Sequence, residues 1–204
     1  MDMTVLLHDN HVYGLTKKQA SPTSPAGMKS NTTPRGAVLE ALNPLTVTLG
    51  VQNVSFVAQG VDWIPELLYD IVARAYRHKG FSFIRIIQRC PEFLPKMFEP
   101  WLHDPAKTLL LTHPNGLVPS AETSRIYKNQ REHDPLDIHK AREIASAEDP
   151  IPVGILYHNP DVACYEDLRG AGKPRTAERI RAGLEAEFDK VTIWPEAGAA
   201  QRAA

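Results

Sequence analysis

The stretch Ile64-Pro65-Glu66-Leu67-Leu68-Tyr69-Asp70-Ile71-Val72-Ala73-Arg74-Ala75-Tyr76-Arg77-His78-Lys79-Gly80-Phe81-Ser82-Phe83-Ile84-Arg85-Ile86-Ile87 sets the fold class. From Ile64 to Lys79, residues Leu67, Leu68, Ile71, Val72, Ala75 and Tyr76 recur at helical spacing, and Gly80 supplies a stop signal. Phe81 to Ile87 is rich in aromatic and β-branched residues, which predicts a strand. Phe56-Val57-Ala58 upstream predicts another, so strand, helix and strand make one right-handed crossover unit of a parallel sheet.

Outward from this unit, Thr4-Val5-Leu6-Leu7-His8 is a short apolar run that stops at Asp9-Asn10, the pattern of a buried parallel strand opening into a loop. Such a strand needs neighbours on both sides, so a chain starting almost inside one is expected to lack upstream sequence. Residues 21–36 are rich in Ser, Thr, Pro and Gly and predict an extended loop. Asn43 as N-cap and Pro44 at the first helical position start a short helix running to about Gln52. Residues 91–130 lack sustained periodicity and read as an irregular arm wrapping another surface. Asp134 as cap and Pro135 at the first position open a further helix, with Ile138, Ala141, Ile144 and Ala145 facing inward, and Ile151 to Tyr157 is a last strand. A helix from Thr176 to Phe188 and a frayed end complete the chain.

With 204 residues, 43% hydrophobic content and a formal charge of −1, the composition is that of an ordinary globular domain. Nearly balanced charge argues against nucleic acid and membrane surfaces as partners, since both select basic patches. The amino terminus has no secretory signal, and no apolar run is long enough to span a membrane, so a cytoplasmic location is expected. Two distant cysteines, Cys90 and Cys164, are no disulfide framework and fit a reducing compartment. Histidines 103, 113, 133 and 139 show no spacing that would gather them on zinc.

The segment Asp9-Asn10-His11-Val12-Tyr13-Gly14-Leu15-Thr16-Lys17-Lys18-Gln19-Ala20-Ser21-Pro22-Thr23-Ser24 closely resembles the signature of the β subunits of 2-oxoacid:ferredoxin oxidoreductases. The resemblance extends in order through Asn43-Pro44-Leu45, Phe56-Val57-Ala58, His78-Lys79-Gly80-Phe81, the Cys90-Pro91 segment, His133-Asp134-Pro135 and Ile151 to Tyr157, covering roughly residues 4 to 170. It implies an α/β fold: the three-layer, mostly parallel sheet of the thiamine-diphosphate-binding fold, incomplete at the amino end and carrying an irregular carboxyl-terminal arm. Residues 1–90 would be the carboxyl-side half of the thiamine-diphosphate-binding domain, 91–170 the carboxyl-terminal region of the β subunit, and 171–204 a charged, Ala-rich tail.

By the same resemblance, Asn10 supplies a side-chain oxygen and Val12 a backbone carbonyl to the Mg²⁺ that bridges the diphosphate, a donor set that suits this hard cation. Gly14, Leu15 and Thr16 would line the cofactor, and Lys17 would face the 2-oxoacid as the catalytic-site cation, where it could pair with the substrate carboxylate. Lys18 stands where the family usually has glycine. Cys90 would be one thiolate of a [4Fe-4S] cluster, whose other three ligands this chain does not contain. The family's Gly-Asp-Gly element, bearing another Mg²⁺ ligand, has no counterpart. Without the resemblance, Asp9-Asn10 is a plain turn, Lys17 and Lys18 a solvated pair, and Cys90 a small apolar side chain beside Pro91.

The implied reaction is oxidative decarboxylation of a 2-oxoacid, 2-oxoglutarate before pyruvate, with the acyl group passing to coenzyme A and electrons to ferredoxin, in a complex with an α subunit. The isolated chain is expected to be inactive. The alternatives are a non-redox thiamine-diphosphate decarboxylase or synthase, and an inactive fragment or assembly module.

Overall fold

The computed structural model describes residues 1–147, 149–170 and 176–193. One compact unit, Met1–Leu168, contains β1 (Met3–Asp9), β2 (Val12–Tyr13), β3 (Gln19–Ala20), α1 (Pro44–Leu49), β4 (Phe56–Val61), α2 (Pro65–Arg77), β5 (Phe81–Ile87), α3 (Glu99–Leu102), β6 (Thr108–Thr112), α4 (Ala121–Ile126), β7 (Gln130–Glu132), α5 (Ile138–Ala145), β8 (Ile151–His158) and α6 (Tyr165–Leu168). A second unit begins at Arg169 and contains α7 (Ala177–Asp189), which Thr176 caps through its side chain. Residues 194–204, where a frayed end was expected, lie outside the described residues.

Six strands form one sheet in the order β1-β5-β4-β8-β6-β7, and β2 pairs with β3 as a small antiparallel ribbon. Within the sheet only β4 and β8 run antiparallel; the other four neighbouring pairs are parallel, giving the mostly parallel α/β architecture expected. Strand alternation sorts the core into two layers. Ile84 and Ile86 of β5, Leu110 of β6 and Val153 and Ile155 of β8 face Leu67, Ile71 and Ala75 of α2. Phe83, Leu109, Leu111 and Leu156 face the other way, toward Leu45 and Leu49 of α1 and Ala141, Ile144 and Ala145 of α5.

The α1 helix is fixed at both ends. Asn43 caps it, its Oδ1 accepting from the amides of Leu45 and Thr46, while its Nδ2 donates to the Ala145 carbonyl of α5 at 2.8 Å. Arg142 of α5 closes the other end by donating twice to the Leu49 carbonyl. This clamp holds α1 beside the loop that follows β3.

Three elements differ from the expectation. β1 is the edge strand of the described sheet and pairs with β5 alone; Val5 and Leu7 pack on the core while Met3 and Leu6 are exposed. Residues 91–130 hold a buried strand, β6, and the helix α4 instead of an arm without secondary structure. β6 is only Thr-Leu-Leu-Leu-Thr, too short to show a period, and β7 is Gln-Arg-Glu, with no apolar side chain. Finally, α5 starts at Ile138 with Asp137 as cap, its carboxylate accepting from the His139 and Lys140 amides, so Asp134 and Pro135 lie in the preceding turn.

At the sheet edge where β4 and β5 begin and β8 ends, the rings of His78 and His158 meet edge to face at 5.0 Å. Burial pushes both imidazoles below the ordinary histidine value, aided by His158 at His78 and by Arg74 at His158. Unfolding releases them to bind protons near pH ~6.5, so the unfolded chain binds more protons and stability falls as pH drops through that value toward the lower folded ones. Urea midpoints should therefore decrease between about pH 7.5 and about pH 5.5, and decrease less in His158→Gln. An equal decrease in both proteins would rule out this contribution.

Candidate functional site

The carboxyl end of β1 carries the residues that organise the site. Asp9 is 4% exposed, and its carboxylate accepts from the Thr23 hydroxyl at 2.6 Å, the His11 amide at 3.2 Å and Arg85 Nε at 2.8 Å, with Arg85 Nη2 at 2.7 Å. Burial alone would raise its pKa, but the Arg85 charge, the Thr23 hydrogen bond and His11 outweigh it and hold the carboxyl below its ordinary range. Arg85 continues to Gln59 Oε1 at 3.3 Å, and Gln59 Nε2 donates to the Pro152 carbonyl at 2.7 Å, tying β1, β5, β4 and β8 into one polar chain.

His11 turns the backbone with φ 61°. Its ring lies edge-on to Phe98 at 5.0 Å, and its Nε2 is 3.3 Å from Arg85 Nη2. Burial pushes this imidazole down; Asp9 opposes the shift and Arg85 adds to it. A neutral ring facing the guanidinium must accept through Nε2, which puts its proton on Nδ1, a buried atom without a hydrogen-bond partner among the described residues. The His11 carbonyl accepts from the Ser24 hydroxyl at 2.6 Å, so Thr23 and Ser24 pin both sides of the turn.

That turn places Asn10 and Val12. The Asn10 Oδ1 accepts from the Val12 amide at 3.1 Å, a local side-chain turn that orients the carboxamide. Both residues line one cavity of about 360 Å³, together with Tyr13, Thr23, Pro44 and Phe83 among others. Gly14 packs under the Phe93 ring, 3.7 Å from where a Cβ would stand. Leu15, Thr16 and Lys17 form the exposed tip between β2 and β3, and Leu15 is 97% exposed. The structure thus gathers Asn10 and Val12 and leaves Leu15, Thr16 and Lys17 away from the cavity lining. Lys17 and Lys18 have φ of 61° and 68°, so lysine occupies at position 18 the left-handed conformation that glycine adopts without cost.

Mg²⁺ asks for about six hard oxygens. Asn10 and Val12 offer neutral oxygens of the right kind beside one cavity, whereas Asp9 is committed to Arg85. Their chemistry fits a cation whose remaining ligands are diphosphate oxygens, water or donors outside this chain. Among the described residues no group of three or more His, Cys, Asp and Glu side chains converges as a metal site.

Cys90 lies just past β5, buried, with Sγ accepting from the Phe93 amide at 3.4 Å. The same Phe93 packs on Gly14, so the Cys90 turn and the β2–β3 ribbon adjoin. Cys164 follows β8, which ends at the opposite edge of the sheet from Cys90, and its thiol donates to Glu166 at 2.6 Å. One thiolate does not hold a four-iron cluster. Sequence reasoning passed over Asp9, His11, Thr23, Gln59 and Arg85. The available signal was Arg85 itself, a charge inside the apolar strand Phe-Ser-Phe-Ile-Arg-Ile-Ile, which requires a buried partner.

Comparison with known proteins places the chain in a family. Residues 1–86 match the model of the thiamine pyrophosphate enzyme, C-terminal TPP binding domain, and residues 123–172 that of the C terminal of the pyruvate ferredoxin oxidoreductase beta subunit. A 2-oxoacid:ferredoxin oxidoreductase subunit beta from a Sulfolobus species is 34% identical over 85% of this chain and 54% of its own length. The 2-oxoglutarate oxidoreductase subunit KorB of Mycobacterium tuberculosis is 35% identical over 48% of this chain and 26% of its own length. A 2-oxoglutarate:ferredoxin oxidoreductase from Magnetococcus marinus, solved with 2-oxoglutarate, coenzyme A and succinyl-CoA bound, superposes with a TM-score of 0.67 at 27% identity, over 90% of this chain and 58% of that one. Among the described residues no helix is long and apolar enough to cross a membrane. The chain spans about half the length of the curated relatives it matches, and it belongs to the family of 2-oxoacid:ferredoxin oxidoreductase β subunits.

Proposed function

We propose that this chain forms part of the thiamine-diphosphate site of a 2-oxoacid:ferredoxin oxidoreductase, with Asn10 Oδ1 and the Val12 carbonyl as Mg²⁺ ligands. The observation that carries this reading is the shared cavity at the carboxyl end of β1, inside the segment that matches the thiamine pyrophosphate domain. Ligands of open α/β sheets bind at that edge. When bound, the cofactor supplies the carbanion chemistry of 2-oxoacid decarboxylation. The residues of this chain bind and orient: Arg85 fixes Asp9, Asp9 and Ser24 fix the His11 turn, and the turn presents Asn10 and Val12. Gly14 lets the ribbon lie close on Phe93. Leu15 and Thr16, at its exposed tip, would reach the cofactor, and the Lys17 ammonium would reach the 2-oxoacid carboxylate, in the assembled complex.

The proposed overall reaction converts a 2-oxoacid and coenzyme A to carbon dioxide and acyl-CoA while reducing ferredoxin. 2-Oxoglutarate is the preferred substrate, since KorB proteins and the Magnetococcus structure are among the relatives, with pyruvate second. In this reading the enzyme is completed by an α subunit, its setting is the cytoplasm, and Cys90 is one ligand of an iron-sulfur cluster otherwise held outside this chain.

Binding of Mg²⁺ and thiamine diphosphate to the assembled complex, measured calorimetrically, tests the assignment. Asn10→Ala is expected to weaken cofactor binding by about 10- to 100-fold, in the range for lost metal-site groups. Unchanged affinity would overturn the Mg²⁺ role of Asn10.

A further inference from the structure

A second pocket lies at the far edge of the sheet. α2 ends at Arg77, β5 begins at Phe81, and β8, antiparallel to β4, ends at His158 opposite Phe56. With seven residues in β5 at roughly 3.3 Å each, this edge is about 20 Å from the end that carries the Asp9 network. Arg74, Arg77, His78, Lys79, His158 and Pro160 line a cavity of about 390 Å³ there. Five of the six carry a cationic or protonatable nitrogen, and no carboxylate is part of the lining. Two of the lining cations already carry a carboxylate partner, Arg74 with Asp70 at 3.0 Å and Lys79 with Asp167 at 2.7 Å, while Asp2 accepts from the Gly80 amide at 3.2 Å. Arg77 has no carboxylate within 4 Å among the described residues.

The negative end of the α2 dipole would account for Arg74 and Arg77. It does not account for His78, which is 8% exposed. Ser55 Oγ gives its one proton to the Phe81 carbonyl at 2.9 Å, so at 2.9 Å from His78 Nε2 it can only accept. His78 Nε2 is therefore protonated, and Nδ1 is the atom left for a ligand; it has no hydrogen-bond partner among the described residues and is open to solvent. His158 stands edge-on beside it, and among the described residues neither of its ring nitrogens has a hydrogen-bond partner. A proton added to either imidazole faces the other ring, Arg74, Arg77 and Lys79, with Asp2 as the acid that offsets it at His78. The chemistry complementary to such a lining is a multivalent anion with several acceptor oxygens.

We propose that this pocket binds a phosphate dianion, free or as the terminal group of a phosphate ester, held by Arg77 and Lys79 and by protonated His78 and His158. Arg77 supplies the planar fork suited to two phosphate oxygens, Lys79 a point charge, and the two imidazolium groups single N–H donors. The site is independent of the thiamine-diphosphate reading, because it shares no residue with the cavity at Asn10.

The test is titration of the 204-residue chain with inorganic phosphate while the histidine ring signals are followed by NMR. Saturable shifts of His78 and His158, absent at exposed His103, are expected, with the proton titrations of both rings moving upward as linkage requires. Arg77→Ala should weaken phosphate binding about tenfold or more while lowering the melting temperature only slightly, and His158→Gln should weaken it and reduce its pH dependence, His78 supplying what remains. Asn10→Ala should leave it unchanged. Adenosine 5′-monophosphate distinguishes the source: tighter binding than phosphate assigns an ester's terminal group, weaker binding the free ion. No saturable response at His78 and His158, or the same affinity in wild type and Arg77→Ala, overturns the proposal.

Discussion

Replacing Asp9 with alanine is expected to cost about 3–5 kcal/mol of stability, the range for removing one partner of a buried ion pair. Arg85 would keep its charge with only 11% of its side chain exposed, and the Thr23 hydroxyl and His11 amide would lose their acceptor. Two comparisons isolate the cause. Asp62 pairs with Arg89 at 3.0 Å, but Arg89 is 47% exposed, so Asp62→Ala should cost about 1 kcal/mol or less. The double variant Asp9→Ala/Arg85→Met should recover part of the loss, because it removes the stranded charge as well. Urea unfolding of the four proteins measures all of this. Equal losses in the Asp9 and Asp62 variants would show that burial of the pair contributes nothing.

Gly154→Ala is expected to destabilise the protein by about 3 kcal/mol or more, from backbone strain added to overpacking. Gly154 has φ 147°, and an added Cβ would stand 2.8 Å from the Leu111 Cβ and 3.0 Å from the Leu111 carbonyl oxygen. Neither atom is the end of a flexible side chain, so relief requires moving β6 away from β8. Gly154 pairs with Gln59 just past the irregularity between Val57 and Ala58, and Gln59 in turn reaches Arg85, so the damage should spread toward the Asp9 network. Gly183 on α7 is the control: among the described residues nothing outside its own helical turn lies within 4 Å of an added Cβ, and alanine there should stabilise the helix by up to about 1 kcal/mol. Melting temperatures that move alike in the two variants would contradict the steric account.

The crossover unit was legible because its signals are local. The 3.6-residue spacing of Leu67, Ile71 and Ala75 and the aromatic and β-branched run from Phe81 need only their own neighbours to be read, and α2 and β5 lie where that spacing places them. Asn43 as the cap of α1 was legible for the same reason. The β6 strand was not: its five residues acquire a direction only from pairing with Ile151 to Val153 on one side and Gln130 to Glu132 on the other, both distant in sequence. The Asp134–Asp137 choice failed because both residues have cap chemistry, and the packing of α5 on β8 selected the second.

For the candidate site, the linear motif nominated Asn10, Val12 and Gly14 to Lys17 through resemblance alone, without knowledge of the partners each side chain meets. Amino-acid order alone determined an α/β sheet built on a crossover unit, a nearly neutral charge, and the family resemblance. Only the tertiary structure decided that Asp9 is spent on Arg85, that Asn10 and Val12 share a cavity from which the ribbon tip at Leu15 to Lys17 stands apart, and that five basic side chains meet at the other edge. The physical reason is separation along the chain. Asp9 and Arg85 are 76 residues apart, and an ion pair over that distance exists only once strand register has brought β1 against β5.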